Sequence, residues 1–129
     1  MADTEKITIN LSVVDLGRID LLVEQGFYST RTDFIRTATR NQLDTHSEEI
    51  QQVVARKSLA VGVMGFNRAD LERVIADGEQ LDIRVVGMLV LKNDIKPDLA
   101  KAAIRSLKVS GAFHASEAVK EALSDRIEI

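Results

Sequence analysis

Apolar and polar residues alternate strictly near the start of the chain. Lys6 to Leu11 reads KITINL, with Ile7, Ile9 and Leu11 on one side and Lys6, Thr8 and Asn10 on the other. A period of two predicts a short strand with one buried and one exposed face. Such a strand is not stable alone, so it needs a partner strand. The period then changes. Leu16, Ile19, Leu22 and Val23 fall on one face at helical spacing. Ser12, with Asp15 three residues on, reads as the start of that helix and Gly26 as its stop. Gly17 lowers its propensity slightly. Thr30 and Asp33 form a second capping pair, followed by an apolar stripe of Phe34, Ile35 and Ala38 and a polar face with Arg36 and Arg40.

Residues 44–57 are polar and compatible with a helix, either continuing the second helix or forming a separate linking one. No Gly or Pro marks a hinge there, and the domain boundary is placed between Gln42 and Lys57. The expected organisation is therefore 1–43, a helical linker 44–57, and a second domain 58–129. In that domain Ser58 to Val63 reads as a strand, and Asn67 as the cap of a helix closed by Asp77 and Gly78. Leu81 to Leu91 is the most apolar run and predicts a buried strand. Pro97 suits the first turn of a helix to about Arg105. Ser106 to Phe113 reads as a strand, and Ser116 caps a helix to Ser124. Gly62, Gly87 and Gly111 each sit in an apolar strand, spaced by 25 and 24 residues. Strand-helix units of this period suit short α/β solenoids or parallel-sheet crossovers. These glycines read as close-packing positions rather than ligand contacts.

Composition narrows the picture. With 45% apolar residues there is material for a core, and with 4% aromatics that core is aliphatic. The chain has no cysteine, which excludes disulfides, thiolate metal sites and cysteine nucleophiles. Its start lacks the basic-then-apolar pattern of a signal peptide, and no apolar run approaches a membrane span. A soluble, cytoplasmic, nucleoid-associated protein is expected. The net charge of −3 counts against nucleic-acid binding. Residues 1–43 carry five basic and six acidic side chains, so there is no local excess of positive charge either. Any DNA-binding reading must rest on geometry.

Such a geometry is at hand. The run KITINLSVVDLGRIDLLVEQGFYSTRTDFIRTATRNQL, residues 6–43, resembles the ribbon-helix-helix family of bacterial regulators, of the Arc, MetJ and CopG type. The alternating strand and the signature GFYSTRTDFIRTA carry the resemblance. It implies an α+β fold: an intertwined dimer of one strand and two helices per chain, followed here by a small α/β domain with short strand-helix repeats. It implies a sequence-specific repressor whose two strands pair antiparallel as a ribbon in the DNA major groove. Lys6, Thr8 and Asn10 would then face the bases, Lys6 donating to guanine, Asn10 pairing with adenine and Thr8 touching thymine. Ser29, Thr30, Arg31 and Thr32 would hold a phosphate at the N-terminus of the second helix, where free amides and the helix dipole favour an anion. Ile7, Ile9, Leu11, Phe34, Ile35 and Ala38 would form the dimer core.

Other chemistry finds little support. His46 and His114 are far apart and match no metal cluster, so no metal or cofactor is expected. No nucleophile motif, phosphate loop or carboxylate pair points to an enzyme. For residues 58–129 the first expectation is oligomerisation into tetramers or larger assemblies, so that two ribbons reach neighbouring half-sites. The alternative is a DNA-binding antitoxin, or a module whose C-terminal part binds a protein partner. Antitoxin tails are usually short and disordered, whereas this segment has the hydrophobicity of a folded domain.

Overall fold

A computed structural model describes residues 4–128. It contains six helices and a three-stranded parallel sheet among those residues. The chain divides into two compact units, residues 6–53 and residues 54–128 together with the few residues before Lys6.

In the first unit, helix α1 spans Val13–Glu24 and α2 spans Arg31–Thr45. Ser12 caps α1, its hydroxyl accepting from the Asp15 amide at 3.1 Å. Gly26, at φ 83°, ends it. The Gly26 amide donates to the Val23 carbonyl and the Phe27 amide to the Leu22 carbonyl. This is the paired closure that satisfies the last carbonyls of a helix and requires a left-handed residue. Lys6 to Leu11 forms no strand in the single chain. The expected strand differs for a physical reason: strand structure consists of ladder bonds, and this segment has no ladder partner within its own chain.

His46 breaks the run of helix after α2, and α3 follows as Ser47–Lys57. The linking segment is thus a separate helix. It ends as α1 does, with the Ser58 amide donating to Ala55 and the Leu59 amide to Val54. Here the left-handed position is filled by Ser58, at φ 54°. A serine there gives no sequence signal of a stop.

The second unit alternates strand and helix three times. Strand β1 is Ala60–Phe66, α4 Arg68–Ala76, β2 Leu81–Leu91, α5 Pro97–Ala103, β3 Ile104–His114 and α6 Glu117–Ala122. The strands lie in the order β1-β2-β3, all parallel. The first strand starts two residues later and ends three residues later than expected, and the third begins two residues earlier. Ile104 is fully buried and pairs with Leu81, so the sheet claims it where the sequence suggested a helix end.

Alternate residues of β2, namely Ile83, Val85, Leu89 and Leu91, share one core with Leu71 of α4, Ala100 and Ala103 of α5, Val119 of α6 and Leu123 just after it. All three helices therefore cover the same face of the sheet. The one-sided core of β2 is hidden in the sequence, because Val86, Met88 and Val90 between those positions are apolar as well, and Met88 is itself buried.

The repeat of glycines is a structural repeat. Gly62 pairs with Gly87 and Gly87 with Gly111, directly across the sheet. Their φ angles are 135°, 136° and 129°, a region open only to glycine. A Cβ on Gly87 would lie 2.1 Å from the Gly62 carbonyl oxygen, and one on Gly111 2.0 Å from that of Gly87. Each strand thus rests its backbone against the next at the glycine, as close packing requires.

At the opposite end of the strands, Asp82 accepts from Arg105 Nε at 3.0 Å and from the Ser106 hydroxyl at 2.7 Å. Arg105 first, then Ser106, draws the Asp82 carboxyl down to about 2. An unfolded chain leaves aspartate near 3.9, so the unfolded state binds this proton more readily. The contribution of this contact to stability is complete above about pH 4 and fades as pH falls toward 2. An NMR titration of the Asp82 carboxyl is expected to show a midpoint well under 3. A midpoint near 4 would mean that the Arg105 contact does not hold in solution.

Candidate nucleic-acid interface

The expected interface lies in the first unit, which is short of a core. Ile19 is its one buried apolar residue among those described, and α2 buries none. Meanwhile Ile7, Ile9 and Leu11 stand 78%, 55% and 41% exposed. Isolated exposed apolar side chains are normal, but these fall at alternate positions of one short segment, and two of them line an open cavity. That cavity, of about 370 Å³, is lined by Ile9 and Leu11, by Ile19 and Leu22 of α1, and by Phe34, Ile35 and Ala38 of α2. Its wall is apolar except for Asp15, Arg18 and Thr39.

Five of the six residues expected to build a dimer core therefore meet around one hollow. Ile7 does not line it. Ile19 and Leu22 do, and they belong to the apolar face of the first helix that the sequence already displays. Their helical spacing was the available signal, since a face needs something to cover it.

Lys6, Thr8 and Asn10 are all exposed. They alternate with the apolar set, so an extended backbone places them on the side away from it.

The start of α2 is more occupied than expected. The Thr30 hydroxyl accepts from the Asp33 amide at 3.0 Å. Asp33 does not reach back to Thr30. It turns to Ser29, accepting from its amide at 3.0 Å and its hydroxyl at 3.2 Å. Arg31 forms a bidentate pair with Asp20 of α1, at 2.7 and 2.8 Å. The pair raises the Arg31 pKa and lowers that of Asp20, in each case mainly through the hydrogen bond itself. Such a fork fixes orientation, and here it ties the two helices together. Eleven residues of separation on two different helices leave no trace of this partnership in the sequence. The Phe34 amide donates to the Thr30 carbonyl. The amides of Arg31 and Thr32, on the first turn, have no acceptor within the helix. Of the four residues expected at a phosphate, Thr32 keeps its hydroxyl and amide available, Thr30 serves as the cap that orients the turn, and Ser29 and Arg31 already have partners. Tyr28 and Phe34 meet edge to face at 4.9 Å and fix the turn that leads into the helix.

No helix among the described residues is long and apolar enough to cross a membrane. Comparison with family models gives a match to the Ribbon-Helix-Helix transcriptional regulator family over residues 2–120. Comparison with curated proteins and with solved structures gives no match. The matched stretch is far longer than the run 6–43 on which the resemblance was read, and it extends through most of the strand-helix repeat.

Proposed function

We propose a specific mode of DNA binding from one established premise: this chain belongs to the ribbon-helix-helix transcriptional regulator family. Members of that family bind DNA, typically as dimers, and are generally not enzymes. In the proposed mode, residues 6–11 of two copies pair antiparallel, and the ribbon enters the major groove as a repressor's reading head. Ile7, Ile9 and Leu11 turn inward, while Lys6, Thr8 and Asn10 from both copies face base edges.

The observation that carries this reading is the incomplete core of residues 6–53. A unit with one buried apolar residue, an apolar hollow and a neighbouring row of exposed isoleucines and leucine gains its core from a second copy. Folding and dimerisation are then one event. Pairing also satisfies the backbone groups of the segment that the single chain leaves without a ladder.

Positioning on the phosphates falls to the first turn of α2, through the Arg31 and Thr32 amides and the Thr32 hydroxyl. Arg31 contributes through its backbone and through the Asp20 pair that holds α2 in place. The charge balance of the chain supports few, local contacts, and hence a shallow dependence of affinity on salt. The second unit, in this reading, associates copies so that ribbons reach neighbouring half-sites.

Asn10 gives the direct test. Asn10→Ala is expected to leave the dimer and its melting temperature unchanged, since the side chain is exposed. Binding to the cognate site should weaken by about 1–3 kcal/mol for each half-site, with preference relaxed at one base position. Footprinting and binding assays with base-substituted sites measure both. An unaltered preference in this variant would overturn the ribbon assignment.

A further inference from the structure

The two edges of the C-terminal sheet are not alike. Beside β3, the chain bridges its own edge at Leu107. The Leu107 amide donates to the Arg126 carbonyl at 3.0 Å and the Glu128 amide to the Leu107 carbonyl at 2.8 Å, a parallel bridge centred on Ile127. Arg84 of β2 clamps the Glu128 carboxylate at 2.6 and 3.2 Å. Arg126 in turn donates to the Ile104 carbonyl at 2.8 Å.

At the other edge, β1 has no strand beside it among the described residues. Its sequence, AVGVMGF, contains no charge and no proline. Val61 and Val63, on one face of it, are 68% and 57% exposed. Proteins blunt bare edges with charges, proline or a covering segment, and β1 carries none of these. Gly62 adds a second sign. It shares the backbone angle of Gly87 and Gly111, yet nothing lies within 4 Å of where its Cβ would stand. At the other two glycines that space holds a carbonyl of the neighbouring strand.

We propose that β1 is an interface on which a second copy of this chain lays its own β1, antiparallel across a two-fold axis. Three strands from each copy then form one continuous sheet. Three observations select a second copy as the occupant. The edge beside β3 is bridged at Leu107 by residues 126–128, carries Lys108 beyond that bridge and has Glu5 against His114 at its end, so uncharged β1 is the freer edge each copy has to offer, and two identical edges meet through a two-fold. The uncharged strand brings no like charges face to face when it pairs with itself. Finally, a second copy is present at high effective concentration once the ribbon has dimerised, and in this respect the inference rests on the dimeric reading above.

The absence of cysteine makes the test clean. Val63→Cys, Val61→Cys and, as a control on the helical layer, Lys101→Cys are made in the full chain and oxidised at low concentration. Mass in solution is measured on each sample before oxidation. Cross-linking at position 63 or 61, whichever lies nearer the axis, is expected to run at least about ten-fold faster than at 101, because a disulfide needs Cα atoms within about 7 Å. Running two positions prevents register, or one poorly folded variant, from deciding the outcome. A dimeric sample in which neither valine position outpaces the control overturns the β1 interface and leaves the ribbon reading intact. A monomeric sample without cross-links overturns both. Fast cross-linking in a sample that is monomeric when dilute supports the β1 interface and counts against the ribbon dimer.

Discussion

Ile9→Asp is expected to abolish the dimer and with it all specific DNA binding. Ile9 is exposed in the single chain and lines the apolar hollow between α1 and α2. In the proposed dimer it is covered from both copies. Truncating a buried isoleucine costs about 2–5 kcal/mol, and the two-fold axis counts that loss twice per dimer. A carboxylate in its place must also be desolvated without a partner, or take up a proton to avoid it. Since each 1.4 kcal/mol is about ten-fold in an equilibrium constant, the combined effect moves the dimer out of any practical concentration range. Sedimentation equilibrium should report monomer where the parent chain reports dimer or larger. Circular dichroism should show reduced helix content from residues 6–53, because that unit has little core of its own. Thr8→Asp, on the opposite side of the same segment, should retain the dimer while losing DNA. An Ile9→Asp variant that stays dimeric and keeps both its helix content and its DNA binding would show that the hollow is not where a second copy packs.

Gly87→Ala is expected to have the largest effect on the second unit. The new methyl group would lie 2.1 Å from the carbonyl oxygen of Gly62, a backbone atom held within the sheet. Backbone strain at a φ of this kind costs about 1–3 kcal/mol, and forcing an atom into a filled space costs about as much again. The sum, about 2–6 kcal/mol, is a large share of the total stability of a small domain. Gly111→Ala should behave alike, at 2.0 Å from the Gly87 carbonyl. Gly62→Ala separates the two causes, since it meets nothing within 4 Å and carries the backbone strain alone. Denaturant titration should rank Gly62→Ala as the mildest of the three. Equal losses at all three positions would show that close approach plays no part.

Much of the secondary structure is legible in the sequence. Ser12, Thr30, Asn67 and Ser116 each carry the sequence signal of a helix cap, and each accepts a hydrogen bond from the backbone amide three residues on. Leu81–Leu91 emerges with the bounds its apolar run gave. These features are local: a cap needs a hydroxyl or amide three residues from an amide, and a buried strand needs a run of apolar residues. The stop at Ser58 was not legible, because serine in a left-handed position has no compositional mark.

The candidate interface was read less evenly. Alternation separates an apolar from a polar set within residues 6–11, and Thr30 with Asp33 marks the start of α2. The occupation of Ser29 by Asp33 and of Arg31 by Asp20 required three dimensions. Partners of a long side chain depend on which helices lie side by side, and spacing along the chain does not encode that.

The sequence by itself determined the periods, the starts of every helix except α3, and the family of the chain. Those follow from each residue's own conformational preferences and from short-range spacing, which survive in one dimension. The tertiary structure alone decided three further things. It stacked Gly62, Gly87 and Gly111 across the sheet, turning a loose spacing of 25 and 24 residues into a backbone contact. It bridged one sheet edge at Leu107 with residues 126–128 and left β1 without a neighbouring strand among the described residues. It also left residues 6–53 with a hollow in place of a core. Each of these depends on where distant segments meet, and the burial of apolar surface that drives them together is non-directional. The backbone hydrogen bonds and the shapes of the packed side chains choose the final arrangement.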